Sequence, residues 1–364
     1  MTNKPQDKYK VGQISHSARC MASEMIMIGF EGTRYSPKLG SCLKNLRPGG
    51  IILFSHNIEN SRQTIALVSD LKKLLEDVSG LPPFISVDQE GGRVTRIPSD
   101  FRHCAIKDEY HDAKLWPHSF PSLRSIGKDG SEELCERTHE YMACALSYLG
   151  FNIDYAPVLD IDTNPINQVI SDRSFGSNVE KVCSLGRAAI RGLKTGGMMT
   201  CAKHFPGHGN TEQDSHFVLP IDVRSKKRLI EYELTPFKMA ISMDVEFFMT
   251  AHVLYPELDK DYPATLSPKI IRNLLRKELS YEGVIVTDDL DMKAISESRT
   301  DKEIVELCLA SDIDQFLICR NPLRMTNVRN TLELMIDNGQ VEEKESLIKL
   351  NRLLHLKSLA EQRG

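Results

Sequence analysis

Short apolar runs alternate with longer stretches in which apolar residues recur every three or four positions, and the alternation continues along nearly the whole chain. Runs of the first kind read as β-strands and stretches of the second as amphipathic helices. The strand candidates are EMIMIGF (24–30), GGIILF (49–54), PFISVDQE (83–90), FNIDYAPVLDI (151–161), MTCAKHF (199–205), EFFMTAHV (246–253), GVIVTDDL (283–290) and DQFLICR (314–320). Helices are predicted at about 60–79, 130–149, 178–196, 224–243, 267–280, 299–311 and 323–338, with a terminal one near 342–361. Before the seventh strand, Ser267 and Pro268 supply an N-cap and a first helical position, and Ile270, Ile271, Leu274, Leu275 and Leu279 follow at helical spacing.

Near-continuous apolar strands, each followed by a helix, indicate a parallel sheet buried on both faces. Eight of them favour a closed barrel over an open doubly wound sheet, whose phosphate-binding glycines would follow the first strand; GFEGTRYS contains no such GxGxxG pattern. The predicted class is α/β, a TIM-like (β/α)8 barrel. A length of 364 residues would allow two domains, but no Pro/Ser-rich linker interrupts the alternation. One domain over residues 1–364 is therefore expected, with an N-terminal extension over about 1–20 and a C-terminal helix over about 342–361.

Composition narrows the partners. A net charge of −4 excludes a generic polyanion binder, so no nucleic acid is expected, and 41% hydrophobic with 26% charged residues fits a chain with a large buried core. The first twenty residues lack an apolar signal core, and no stretch approaches the roughly 18 apolar residues of a membrane span. Nine scattered cysteines without a CxxC pair fit a reducing compartment, so the expected location is the cytoplasm, away from the membrane.

In a (β/α)8 barrel, chemistry collects at the C-terminal ends of the strands. The third strand ends in Asp88, the fourth in Asp160 and Asp162, the fifth in Lys203 and His204, the sixth in His252 and the seventh in Asp288 and Asp289. The segment KHFPGHGNTEQDSH (203–216) is the richest. His204 and His208 have a metal-ligand spacing, but Pro206 and Gly207 prevent a helix from presenting both on one face, and no metal is expected. Gly207, Gly209 and the polar run Asn210 to Gln213 suggest a loop that closes over a site. If that loop ends extended, Asp214 and His216 project the same way, and the carboxylate can orient an imidazole that both donates and accepts protons near neutrality. In GVIVTDDLDM (283–292), Asp288 is delivered to the barrel top, where a carboxylate can attack an anomeric carbon; Asp289 and Asp291 leave a divalent-cation cluster as the rival reading.

The segments VDQEGGRVTR (87–96), DTNPINQVISDRSFG (162–176), KHFPGHGNTEQDSH (203–216), MTAHV (249–253) and LLRKELSYEGVIVTDDLDM (274–292) resemble the family 3 glycoside hydrolases, and within them the single-domain β-N-acetylhexosaminidases of bacterial cell-wall recycling. The resemblance implies Asp288 as catalytic nucleophile, His216 as general acid/base with Asp214 as its dyad partner, and Asp88, Arg96, Arg173, Lys203 and His204 as sugar-binding residues. It further implies a retaining, exo-acting enzyme with no cofactor, which takes a small carbohydrate, an N-acetylglucosaminyl muropeptide fragment. One departure stands out: Ser171 occupies a position where the family pattern leads one to expect glycine.

Other readings stay open at this level. A β-glycoside phosphorylase would use phosphate as acceptor, which a histidine base repels less than a carboxylate would. Lys203 could serve as the Schiff-base lysine of an aldolase-like lyase. A catalytically silent sugar-binding protein could share the fold. The single tryptophan, Trp116, and 7% aromatic residues argue against a platform for polymeric sugar; Trp116 reads as a packing residue. A monomer or weak homodimer is expected.

Overall fold

The computed structural model describes residues 17–103 and 120–363; Trp116 and the predicted extension before residue 17 lie outside the described residues. Eight parallel strands form one sheet: β1 (Ile26–Ile28), β2 (Gly50–Leu53), β3 (Phe84–Val87), β4 (Ile153–Asp154), β5 (Met199–Phe205), β6 (Phe247–Thr250), β7 (Val284–Thr287) and β8 (Phe316–Ile318). Their order, β7-β6-β5-β4-β3-β2-β1-β8, is that of a barrel opened between β7 and β8. The remaining seam is closed by a parallel bridge between Val286 and Gln315, by the Thr287 N–H donating to the Gln315 carbonyl at 3.0 Å, and by the Leu317 N–H donating to the Thr287 hydroxyl at 3.0 Å. The molecule is thus the TIM-like (β/α)8 barrel that the alternation predicts. Each observed strand lies within its predicted run, and β5 fills its run completely.

The predicted helices are present, including Ser61–Ser79, Glu132–Leu149, Val179–Thr195, Lys269–Glu278 and Pro322–Asp337. Ser267 caps as expected, its hydroxyl accepting from the Ile270 N–H at 3.1 Å. Among the described residues, three helices of seven residues or more, Ala18–Glu24, Pro37–Leu46 and Leu123–Asp129, and the single turn Lys293–Ser296 lie outside the predicted helices. The first takes residues 18–20 out of the predicted extension and packs them with the fold. The second carries local signals, since the Ser36 hydroxyl accepts from the Leu39 N–H at 3.2 Å and Pro37 opens the helix.

The C-terminal helix Glu343–Arg363 lies across the N-terminal ends of the strands. Lys357 Nζ meets Glu24 Oε2 at 2.5 Å, just before β1, and stands 5.2 Å from the ring of Phe84, which begins β3. Arg352 Nη1 meets Asp314 Oδ1 at 2.8 Å, just before β8. This end of the barrel is plugged, which leaves the C-terminal end for the loops that carry the polar residues.

One irregularity shapes that end. In a regular strand, neighbouring side chains point to opposite faces, so Lys203 and His204 could not both face the barrel mouth. The register between β5 and β6 shifts between Ala202 and Phe205, as a β-bulge does, and both side chains line the same cavity.

Candidate active site

A cavity of about 240 Å³ opens at the C-terminal end of the barrel. It is below the roughly 300–1,000 Å³ of pockets for drug-sized ligands, a size suited to one sugar ring. Asp88, Arg96, Arg173, Lys203, His204, His216 and Asp288 all line it. Seven of the eight site residues that the resemblance implies thus meet at one place, and the eighth, Asp214, is bonded to His216.

The floor is built from strand ends. Asp88 follows β3, Lys203 and His204 belong to β5, and Asp288 follows β7. Lys203 Nζ bridges Asp88 Oδ1 at 2.7 Å and Glu90 Oε1 at 2.6 Å, with the lysine side chain almost wholly buried. Glu90 in turn receives Arg173, Nε to Oε2 at 2.7 Å and Nη2 to Oε1 at 2.8 Å. Burial alone would raise the Glu90 carboxyl, but Arg173 and Lys203 outweigh it and hold it far below the ordinary carboxylate range. The same carboxylates push Lys203 up against its own burial. Two cations and two anions therefore form a rigid charged wall, and Glu90 is a site residue that pattern reading passed over although it stands in the quoted VDQEGGRVTR segment.

Arg96 differs from Arg173. Its backbone N–H is fixed by the Gln89 side-chain carbonyl at 2.6 Å, while its Nε is buried with no hydrogen-bond partner. A buried donor without an acceptor is costly unless a ligand supplies one. The glycine pair before it permits the turn: Gly91 has φ +87°, Gly92 has φ +57°, and a Cβ on Gly91 would stand 2.3 Å from the Pro121 carbonyl oxygen.

His204 is oriented by Asp160, a fully buried carboxylate that accepts from His204 Nδ1 at 2.7 Å and from the His208 N–H at 2.7 Å. Arg173 Nη2 lies 3.5 Å from His204 Nε2; arginine only donates, so Nδ1 carries the ring proton. The rings of His204 and His208 are T-shaped at 5.9 Å, and His208 turns to Thr211 Oγ1 at 2.9 Å and Ser215 Oγ at 3.3 Å. Burial, with His204 beside it, holds His208 down at about 4, so it is neutral at physiological pH.

Asp288 faces the cavity at the end of β7. Burial pushes its carboxyl up, and His252, His204, the Asp289 N–H (2.8 Å to Oδ1) and Lys203 more than offset this, leaving it below its ordinary value and ionised. Asp289 also lines the cavity, but its Oδ1 accepts from the Cys319 N–H at 3.1 Å and the Asp291 N–H at 3.0 Å, and burial raises its carboxyl to about 6. Asp291 is tied to the Arg320 and Asn321 N–H groups and to Arg324. The three carboxylates thus serve different partners and do not converge on a common point.

Above the cavity, the loop after β5 presents the Asp214–His216 pair. Asp214 Oδ1 accepts from both the His216 N–H at 2.9 Å and His216 Nδ1 at 2.7 Å. The segment is a turn, not the extended run anticipated from the sequence: the Phe217 and Val218 N–H groups both donate to the Asp214 carbonyl. The pairing arises because an aspartate readily captures the backbone N–H two residues ahead, which brings the imidazole onto the same oxygen. Burial raises Asp214, but the His216 N–H and ring outweigh it and hold the carboxyl below its ordinary value. With Nδ1–H given to Asp214, Nε2 is the ring nitrogen left to exchange a proton with a ligand. The His216 side chain is 56% exposed, whereas Ser215 is buried between the dyad residues, its carbonyl accepting from the Ala294 N–H at 3.3 Å.

A (β/α)8 barrel whose strand ends hold an ionised carboxylate and a wall of paired charges, under a loop bearing a carboxylate-oriented histidine, has the parts of a glycosidase pocket. The chain belongs to glycosyl hydrolase family 3: the family's N-terminal domain, "Glycosyl hydrolase family 3 N terminal domain", matches residues 112–356. It is similar to a β-hexosaminidase of Alkalilimnicola ehrlichii, 35% identical over 297 residues, which covers 82% of this chain and 81% of that one. β-Hexosaminidase A of Pseudoalteromonas piscicida is 36% identical over 281 residues, 73% of this chain but 44% of the other. Among solved structures, a family 3 β-N-acetylglucosaminidase from Paenibacillus sp. str. FPU-7 superimposes with a TM-score of 0.87 at 34% identity, covering 94% of this chain and 62% of that one. The chain therefore spans less than two thirds of the latter two proteins.

Proposed function

We propose that this protein is a retaining, exo-acting β-N-acetylhexosaminidase that removes a terminal β-linked N-acetylglucosamine from small carbohydrates, with muropeptide fragments as its substrates in the cytoplasm. The observation that carries the reading is the placement of an ionised, cavity-facing Asp288 beneath the loop that presents the Asp214–His216 pair. The names of the relatives support the sugar, and the small cavity supports removal of one terminal residue.

In the first step, an Asp288 carboxylate oxygen attacks the anomeric carbon as the bond to the leaving oxygen breaks, and His216 gives that oxygen its proton. In the second, His216 takes a proton from water, whose oxygen displaces Asp288; two inversions retain the configuration. Asp214 keeps the imidazole oriented and offsets its charge. Asp88 accepts from sugar hydroxyls, and Arg96, Arg173, Lys203 and His204 bind hydroxyl or amide oxygens.

The test is Asp288→Ala assayed on an aryl N-acetyl-β-glucosaminide, where a loss of at least about 1,000-fold in kcat is expected. Near-normal turnover would remove Asp288 from the mechanism. Activity should exceed that on the corresponding β-glucoside, and an N-acetylglucosaminyl-anhydromuramyl fragment should be cleaved. A turnover that depends on inorganic phosphate would instead favour a phosphorylase.

A further inference from the structure

The loop from Pro206 to Ile221 has to deliver Nε2 of His216 to a leaving oxygen, yet the dyad itself is largely exposed. What fixes the loop lies at its two feet. At the exit, the Asp222 N–H donates to the Leu254 carbonyl at 2.8 Å and the Leu254 N–H to the Pro220 carbonyl at 2.9 Å. At the entry, the Tyr255 hydroxyl donates to the Gly207 carbonyl at 2.8 Å. Gly207 has φ +128°, a conformation that favours glycine, and a Cβ there would stand 3.5 Å from the Cβ of Glu233.

Between the feet sits the Arg224 guanidinium, with Arg228 Nε farther out at 3.8 Å from Glu233 Oε1. Arg224 Nε donates to both Asp222 carboxylate oxygens, at 2.9 and 3.0 Å, and Nη2 closes a second contact at 2.5 Å. Its Nη1 donates to Glu233, the residue beneath Gly207, and to Thr163 Oγ1 at 3.2 Å. The Asp222 and Glu233 side chains are completely buried, and that of Arg224 is 13% exposed. Thr163 belongs to the loop after β4 that carries Arg173, and its hydroxyl contacts Asn210 Oδ1 at 3.4 Å. Asn210 also contacts Asp222 Oδ1 at 3.4 Å, and its carbonyl accepts from Asn164 Nδ2 at 3.1 Å.

We propose that Arg224 is a positioning residue for proton donation: it clamps the entry and exit of the loop that carries Asp214 and His216, and locks that loop to the one bearing Arg173. The planar fork of arginine suits this task, since its separate nitrogens reach Asp222, Glu233 and Thr163 at once, and lysine has no equivalent geometry. Arg224 makes no contact with the cavity, so its effect on chemistry passes through the placement of His216. A displacement of about 1 Å in a reacting group can cost on the order of 100-fold in rate. The inference rests on His216 being the donor.

The experiment compares two N-acetyl-β-glucosaminides on the full chain, a dinitrophenyl glycoside whose leaving group needs no proton and a methyl glycoside that does. His216→Ala first establishes the donor, read in kcat/KM, which reports the glycosylation step alone: a loss confined to the methyl glycoside upholds that role, and an equal loss on both would refute the proposed function itself. Arg224→Met is then expected to lower kcat/KM on the methyl glycoside by about 10–100-fold and on the dinitrophenyl glycoside by less than about 3-fold, with Arg224→Lys in between. In the His216→Ala background, Arg224→Met should leave the ratio of the two rates unchanged. Equal losses on both substrates, or a selective loss that persists without His216, would overturn the inference. If Arg224→Met does not fold, Thr163→Val decides, because it removes one shared hydroxyl and leaves the ion pairs intact. A selective drop of a few fold supports the clamp, and an unchanged ratio overturns it.

Discussion

Glu90 holds Arg173 in a two-point grip, Oε2 accepting Nε at 2.7 Å and Oε1 accepting Nη2 at 2.8 Å inside the wall of the cavity, while Oε1 also meets Lys203 Nζ at 2.6 Å. The carboxylate is therefore the hub that keeps two binding cations apart and aimed. Glu90→Gln keeps the shape and removes the charge, leaving Asp88 to compensate both cations. Breaking a buried pair from one side costs about 3–5 kcal/mol, and a loss near the lower end is expected because the amide still accepts one hydrogen bond. KM should rise by about 10-fold or more as Arg173 and Lys203 relax. Because the folded carboxyl lies below its unfolded value, its stabilisation is present above the unfolded value and is lost as pH falls through the folded one. The stability gap between wild type and variant, measured by urea unfolding, should stay constant from neutrality down to about pH 5 and close only in strong acid. A gap that closes near neutrality would contradict the assignment.

Much of this arrangement was legible in the sequence because barrel strands are apolar on both faces and end where the chain meets the mouth. Asp88, Lys203 and Asp288 could be placed from that rule alone. Their partners could not, since the contacts between Glu90 and Arg173 and between Asp160 and His204 join residues far apart in the chain, and no periodicity encodes which cation meets which carboxylate. Strand alternation would have sent Lys203 and His204 to opposite faces, whereas the register of β5 against β6 shifts at this point and both side chains line the cavity. The Asp214–His216 pairing was foreseen, but from an extended segment; the local capture of a backbone N–H by aspartate produced it from a turn. Helix Ala18–Glu24 was obscured because it runs directly into the apolar strand that follows it.

Glu233 predicts a pH dependence of stability. Burial raises its carboxyl to about 7, Arg224 and Arg228 only partly opposing this, and its Oε2 has no hydrogen-bond partner. A carboxyl raised in the folded state binds protons there more readily than in the unfolded chain, so the protein loses stability as pH rises from the unfolded value towards the folded one. A shift of this size corresponds to about 2–3 kcal/mol between pH 5 and pH 8. Glu233→Gln abolishes that titration, so relative to wild type the variant should be more favourable at pH 8 than at pH 5 by about this amount, whatever its absolute stability. Parallel profiles in urea unfolding across this range would refute it.

Ser171 occupies the position where the family pattern led us to expect glycine, and its φ is +40°. A side chain in left-handed backbone costs roughly 1–2 kcal/mol. The contact that fixes this turn uses the Ser171 carbonyl, which accepts from Arg124 Nη2 at 3.0 Å and which glycine retains. Glycine also returns about 0.4–1 kcal/mol to the unfolded chain as entropy, so Ser171→Gly should gain a net of about 0.5–1 kcal/mol. KM should be unchanged, because the Arg173 guanidinium is held by Glu90 and by the Val169 carbonyl, and the substitution removes neither. A destabilised variant would show that the serine side chain contributes more than its backbone costs.

At the opposite end of the barrel, Lys357 and Glu24 form a pair whose side chains are 1% and 2% exposed, with Nζ and Oε2 at 2.5 Å. Lys357→Met removes the cation while keeping much of the stem that covers Phe84, and it strands the Glu24 carboxylate without its partner. The expected loss is about 3–5 kcal/mol in urea unfolding. Replacing both charges, Glu24→Met with Lys357→Met, should recover most of it, because two apolar side chains of similar volume avoid the desolvation that the pair has to offset. The pair secures the C-terminal helix to the start of β1, on the face remote from the cavity. The kcat of folded Lys357→Met should therefore match wild type within about 2-fold. A double variant no more stable than the single one would mean that the loss does not come from the stranded Glu24 carboxylate. A large fall in kcat at full folding would mean that the two ends of the barrel are mechanically coupled.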